Sequence, residues 1–151
     1  MNLSSEVEAG DWHSIADLEA FVQKAVCATQ PAQEKHSVYI LFTDDAAMRE
    51  INNEWRGLDK PTNVLSFPAA PQPVPKGEVA HLGDLVLAWE TVSTEATTQG
   101  KSTRDHISHL IVHGLLHLQG FDHEIESEAE AMEARETEIL AGLGIADPYS
   151  S

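Results

Sequence analysis

The sequence predicts a small α/β (α+β) fold, in which a mostly mixed sheet of three or four strands is packed by helices. Short runs rich in β-branched and aromatic residues alternate with longer stretches in which apolar residues recur at helical spacing. The stretch 102–118 is apolar on nearly every side, which is typical of a central buried helix. The chain has 151 residues, of which 42% are hydrophobic, so residues 1–151 are expected to form a single domain.

Each element follows from local signals. The predicted helices are residues 14–27, 44–56, 102–118 and 127–143, and residues 91–99 have weak helical character. The candidate residues at the helix starts are Ser14, Asp44, Ser102 and Ser127. The predicted strands are residues 37–42, 63–67 and 82–87. Residues 68–77 contain four prolines and one glycine, a composition that predicts a Pro-rich surface loop.

Charge and cysteine content exclude several classes of protein. The formal net charge is −16, which argues against a protein that grips long duplex DNA, so no DNA partner is expected. Six of the nine basic residues nevertheless lie within 49–104, whereas residues 121–151 hold nine acids and one base. No basic start with an apolar run and no membrane-spanning stretch is seen, so a cytoplasmic location is expected. Cys27 is the single cysteine, which excludes internal disulfides, and its apolar helical setting predicts a buried thiol.

Three histidines have the spacing of metal ligands. His113 and His117 stand four residues apart, so on a helix they share one face with Cβ atoms about 5–6 Å apart. His123 reaches the same ion only if the chain turns back, and Gly120 supplies a permissive backbone for that turn. Three neutral imidazoles leave one coordination position open, as in catalytic zinc sites. The pattern predicts one Zn²⁺ ion on His113, His117 and His123, with nickel or another divalent metal as the alternative.

Neighbouring residues refine this site. Gly114 stands where metalloproteases of the H-E-x-x-H type carry their general-base glutamate, which counts against standard proteolysis. His109, one turn before His113, is expected to support a ligand or to contact substrate rather than to bind the ion itself. The histidines without a partner pattern are read as ordinary residues; they are His13, His36, His81 and His106.

Three blocks of the sequence resemble the endoribonuclease YbeY family of bacterial rRNA maturation factors. The first joins Asn52-Asn-Glu-Trp-Arg56-Gly to Lys60-Pro-Thr-Asn-Val-Leu-Ser-Phe67, the second is Leu82-Gly-Asp-Leu-Val86, and the third is residues 109–123. The resemblance runs from about residue 37 to Tyr149, and the third block is the most specific. The family commonly has aspartate where this chain has Asn63, so the charge at that position is lost here.

The resemblance implies a zinc-dependent, single-strand-specific endoribonuclease acting in 16S rRNA 3′-end maturation and ribosome quality control. It implies zinc on the same three histidines and a functional arginine at Arg56, so the catalytic set is Arg56, His113, His117 and His123. The implied partners are single-stranded RNA or rRNA and the ribosome or its proteins. Two alternatives stay open. One is a metalloprotease-like or other metallohydrolase, and the other is a non-catalytic ribosome-assembly factor with structural zinc.

Overall fold

A computed structural model describes residues 2–29, 36–69, 79–120 and 126–146. Within these residues, one sheet is formed by β1 (Asn2–Val7), β2 (His36–Thr43), β3 (Val64–Pro68) and β4 (Ala80–Ala88). The helices are α1 (Leu18–Thr29), α2 (Asp45–Arg56), α3 (Trp89–Thr98), α4 (Thr103–Leu118) and α5 (Glu126–Gly142). The predicted α+β class with a small mixed sheet is confirmed.

The sheet is mixed because one of its strands, β3, runs antiparallel to its neighbour β4. The strand order is β1-β2-β4-β3. β2 pairs in parallel with both β1 and β4, while β3 pairs with β4 in the antiparallel sense, with Val64 opposite Leu87 and Pro68 opposite Gly83. β3 therefore forms one edge of the sheet and β1 the other.

Helices cover both faces of the sheet. Leu85 and Leu87 of β4 contribute to the main core, which includes residues of α1, α4 and α5. Val86 and Ala88 of the same strand belong to a second cluster with Met48 of α2. Because successive side chains of a strand point to opposite faces, α2 lies on one face and α4 on the other.

The predicted central helix is α4, and its prediction is confirmed. Ser102 Oγ accepts a hydrogen bond from Asp105 N at 3.1 Å, as expected for an N-terminal cap. Past its end, Gly120 has a φ of +99°, a left-handed conformation that glycine adopts readily. The buried residues of α4 come from all sides of the helix; they are His106, Ile107, Ser108, Leu110, Ile111, Val112, Gly114, Leu115, Leu116 and Leu118.

Two predictions about the first helix are wrong. Helix α1 begins at Leu18 rather than Ser14, and Ser14 Oγ donates to Asp11 O at 2.7 Å instead of capping a helix. Asp17 has a φ of 56°, which interrupts a right-handed helix at that residue. Cys27 is exposed, because the buried stripe of α1 passes through other positions. That stripe consists of Phe21, Val22, Ala25, Val26 and Thr29.

The segment before α1 is anchored by a tryptophan. Trp12 lies in a short 3-10 turn and is fully buried. Its Nε1 donates to Thr43 O at 3.0 Å, at the end of β2. Its ring meets those of Phe42 and Trp89 edge to face, with centroids 4.9 and 5.1 Å apart. These contacts fix the connection from β1 to α1 against the sheet.

Two other elements, β1 and α5, differ from the sequence predictions. Strand β1 was not predicted from the sequence. An edge strand paired on one side needs little apolar character, and Ser4, Ser5 and Glu6 of β1 are exposed. Helix α5 begins at Glu126, so Ser127 lies inside its first turn and the predicted cap there is wrong.

The predicted loop 68–77 is described only at its start. Pro68 ends β3, and residues 70–77 lie outside the described residues. In the described part of the chain, no helix is long and apolar enough to cross a membrane.

Gly114 sets how closely α4 approaches the sheet. A Cβ atom built on Gly114 would lie 2.8 Å from Leu85 Cδ2 and 3.3 Å from Ser66 Oγ. Leu85 is fully buried, so it has little room to move aside. This position faces the sheet, and a larger side chain here would push α4 away from β4.

We expect Gly114→Ala to lower the free energy of unfolding. Overfilling a packed core costs about 1–3 kcal/mol, while alanine recovers only about 1 kcal/mol of helix propensity. Urea denaturation measures the difference. Gly142→Ala is the matched control, because a Cβ there meets nothing within 4 Å. Equal stability of Gly114→Ala and the parent protein would contradict the close packing described for α4.

Candidate metal centre

A row of histidines runs along α4. The ring centroids are 6.2 Å apart between His106 and His109, 6.3 Å between His109 and His113, and 4.7 Å between His113 and His117. The spacing in sequence places these rings on one side of the helix, since residues three or four apart are neighbours there. His113 and His117 form the closest pair, as the motif predicts.

A fully buried carboxylate on α5 lies against this row. Glu136 is 0% exposed. Its Oε2 lies 3.1 Å from His109 Nε2, and its Oε1 is hydrogen-bonded to His113 Nδ1. An ionised carboxylate only accepts hydrogen bonds, so with Glu136 ionised each ring nitrogen is the donor. Glu136 therefore bridges two successive turns of α4 and connects them to α5.

Glu136 is one of the nine acids of residues 121–151 and was not predicted as a site residue. The buried face of α5 consists of Met132, Glu136, Ile139 and Leu140. Glu136 lies four residues after Met132 and four before Leu140, in the middle of this apolar stripe. A lone acid at the centre of an apolar stripe is the signal that identifies it.

The donors present fit a divalent metal ion. Imidazole nitrogens and carboxylate oxygens are the ligands that zinc takes when cysteine is absent. Ligand atoms of His109, His113 and Glu136 lie within 4.8 Å of one another. The His113 side chain is 28% exposed and that of His109 only 14%. Between these two rings, accessibility thus increases toward His113, the neighbour of His117.

Two further residues were predicted for the site. His123 falls outside the described residues. Arg56 is exposed at the last turn of α2, on the sheet face opposite to α4, so the structure does not bring it into contact with the histidine row. The metal-ligand roles of His113, His117 and His123 and the role of Arg56 stay predictions.

The surface around Arg56 combines a cation with an exposed aromatic ring. Arg49 on the same helix is held by Asp59 through two hydrogen bonds of 2.7 and 2.9 Å. Within the described part of the chain, Arg56 makes no hydrogen bond or ion pair. Trp55 beside it is 68% exposed, and its ring meets Phe67 edge to face with centroids 6.0 Å apart. Trp55 was not predicted as a site residue, although it is the most exposed of the large hydrophobic residues described.

Asn63, where the chain departs from the common family residue, belongs to a second polar cluster. Its Nδ2 donates to Glu95 Oε1 and Oε2 at 3.0 and 3.3 Å. Glu95 Oε1 also lies 2.9 Å from Nε2 of His106, whose side chain is 3% exposed. The cluster ties the start of β3 to α3 and α4. An aspartate at residue 63 would place a second carboxylate against Glu95.

The fold and the site together define a class: an α+β protein whose buried central helix carries a row of histidines, supported by a carboxylate, with a donor set compatible with a divalent metal ion. Comparison with known proteins identifies the family. The family model described as Endoribonuclease YbeY matches residues 4–144. This chain belongs to the endoribonuclease YbeY family, and that membership supports an endoribonuclease role, which makes it a hydrolase with RNA as substrate.

Several relatives agree over almost the whole chain. The endoribonuclease YbeY of Chelativorans sp. (strain BNC1) is 52% identical, over 95% of this chain and 90% of that protein. The one from Azorhizobium caulinodans is 47% identical, over 99% and 97%. The solution structure of TM1509 from Thermotoga maritima is similar with a TM-score of 0.60, at 19% identity and over 99% of both chains. This last likeness supports the fold alone.

We expect Asn63→Asp to lower stability at pH 7. The substitution replaces an amide donor by a like charge beside the partly buried Glu95, and a polar group that loses its partner costs about 1 kcal/mol. Urea denaturation at pH 7 measures the loss, with exposed Asn53→Asp as the control. An Asn63→Asp protein as stable as the parent at pH 7 would rule out this reading of the cluster.

His106 should make stability fall in mild acid. Burial holds the pKa of His106 below its ordinary value of about 6.5, although the hydrogen bond to Glu95 opposes the shift. The folded state therefore keeps the ring neutral. Its contribution is fully present above pH ~6.5 and is lost as the pH falls toward the lower folded-state pKa. Between pH 7.5 and 5.5, with chelator present, the parent should lose more unfolding free energy than His106→Gln.

The control for this measurement is His13→Gln, because His13 is exposed and makes no ion pair among the described residues. Its pH slope should match the parent's. Parallel slopes for His106→Gln and the parent would show that His106 does not carry the effect.

Proposed function

We propose that this chain is a zinc-dependent, single-strand-specific endoribonuclease, built as a single metallohydrolase domain over residues 1–151. The proposal assigns one zinc ion to His113, His117 and His123. The observation that carries it is the close pair of imidazoles of His113 and His117, on a buried helix of a chain that belongs to an endoribonuclease family.

The metal chemistry follows from the donor set. A zinc ion held there would supply charge stabilisation at a phosphate oxygen and activate water near neutral pH. Nickel or another divalent ion also suits imidazole ligands. The protein's own contribution is a fixed row of rings on a helix whose position the core determines. His113 is oriented by Glu136 before any ion arrives.

Arg56 is assigned to the phosphate. Its planar guanidinium forms paired hydrogen bonds with phosphate oxygens and stabilises charge that develops in the reaction. Arg49, on the same helix as Arg56, is engaged by Asp59, whereas Arg56 is exposed and makes no ion pair among the described residues. This difference supports Arg56 as the arginine available to a substrate.

Single-stranded RNA is the substrate that suits this surface. The chain's net charge of −16 disfavours broad contact with a duplex. An exposed aromatic ring beside a cation suits unpaired bases, which stack on such rings. Trp55 next to Arg56 supplies that combination. We infer action on 16S rRNA 3′ ends and in ribosome quality control in the cytoplasm, with ribosomal proteins as partners of the acidic surface of α5.

The packing of Gly114 supports nuclease over protease activity. The general-base position of the H-E-x-x-H pattern is here a glycine against Leu85, and a Cβ there would already lie 2.8 Å from that side chain. A glutamate at residue 114 would point into the sheet. We therefore rank a metalloprotease reading below the nuclease.

Cleavage of a single-stranded RNA oligonucleotide by zinc-loaded protein tests the proposal. His117→Ala should reduce cleavage to background, because one of three ligands is lost. Arg56→Ala should lower kcat by about 10²–10³-fold, the usual cost of removing one charge-stabilising donor. The same RNA annealed to its complement should resist cleavage.

Two variants control for general damage. Arg49→Ala removes an exposed arginine of the same helix, and His81→Ala removes an exposed histidine away from α4. Both should cleave at the parent rate. Equal cleavage by the parent, His117→Ala and Arg56→Ala would indicate a contaminating nuclease and defeat the proposal, as would chelator-sensitive hydrolysis of peptides without RNA cleavage.

A further inference from the structure

We propose that Glu136 is a positioning residue that determines which nitrogen of His113 faces the metal ion. The inference rests on the proposed metal site and deepens it. It assigns Nε2 of His113 as the ligand atom and Nδ1 as the atom held by the protein.

The assignment follows from hydrogen-bond chemistry. Glu136 Oε1 is hydrogen-bonded to Nδ1 of His113, and an ionised carboxylate only accepts. Nδ1 therefore carries the proton. A neutral imidazole has one protonated nitrogen and one lone pair, so the lone pair of His113 is on Nε2. Metal-binding histidines usually donate their other N–H to a carboxylate or carbonyl, which fixes the ring and raises its basicity.

His109 has a role in the same arrangement. Glu136 has no solvent contact, and a buried carboxylate is tolerated only where its oxygens are hydrogen-bonded. His109 Nε2 lies 3.1 Å from Oε2, the oxygen that His113 does not use. His109 thus holds the carboxylate in place, and the carboxylate holds His113. This explains why the row contains His109, which the ligand set does not require.

A competing arrangement uses the same residues as direct ligands. Ligand atoms of His109, His113 and Glu136 are close enough to share one ion. In that arrangement Nδ1 of His113 would have to lose its proton and bind the metal. Accessibility favours the positioning role, because the carboxylate is 0% exposed and His109 14%, so RNA has poor access to an ion between them. His113, at 28%, is the most accessible of the three.

The test measures zinc affinity by competition with a chromogenic chelator. Glu136→Gln keeps the volume of the side chain but removes its charge, and we expect zinc affinity to fall about 10–100-fold. Glu133→Gln, an exposed acid on the same helix, is the matched control and should bind zinc like the parent. His117→Ala should abolish binding of the ion, whereas His109→Ala should only weaken it.

Three results would overturn the inference. They are parent-like zinc affinity in folded Glu136→Gln, retention of zinc by His117→Ala with loss in His109→Ala, or a ¹⁵N NMR spectrum showing zinc on Nδ1 of His113. The NMR measurement uses the unaltered protein, so it decides even if Glu136→Gln does not fold. Zinc binding with the expected pattern but without RNA cleavage would defeat the proposed function and leave this inference standing.

Discussion

The carboxylate of Glu136 is the interaction on which the candidate site depends. Removing an ionised group from water is costly, so its two oxygens must find donors inside the protein. Those donors are rings of His109 and His113 on successive turns of α4. One interaction therefore docks α5 on α4, satisfies a buried charge and fixes the orientation of a candidate ligand. The same interaction therefore contributes both to the stability of the fold and to the geometry of the candidate site.

The sheet places a second constraint on the site. Ser66 of β3 lies near Gly114 of α4, whereas its neighbour Phe67 contacts Trp55 of α2. Consecutive residues of this edge strand thus face the two sides on which the histidine row and Arg56 are found. In the proposed function, a substrate that uses both groups reaches from one face of the sheet to the other. An extended single strand can follow such a path more easily than a stiff duplex.

Sequence reasoning succeeded where periodic patterns are strong and local. The apolar periodicity of α4, the β-branched and aromatic runs of β2, β3 and β4, and the Ser102 cap are properties of neighbouring residues, and the structure has them as expected. It failed where tertiary contacts decide. The left-handed Asp17 shortens α1, and β1 exists because β2 offers it a partner. Glu136 was hidden in an acidic segment, because its partners lie more than twenty residues away in the sequence.

The three tryptophans of the chain lie in two different environments. Trp12 and Trp89 pack against each other beside the main core, while Trp55 stands in solvent next to Arg56. Emission from the packed pair reports global unfolding, whereas quenching or polarity shifts at the exposed indole of Trp55 report events on the α2 surface. Replacing Trp55 by phenylalanine would leave a fluorophore set sensitive to denaturation alone. The chain thus carries intrinsic optical probes that separate folding from ligand capture without any added label.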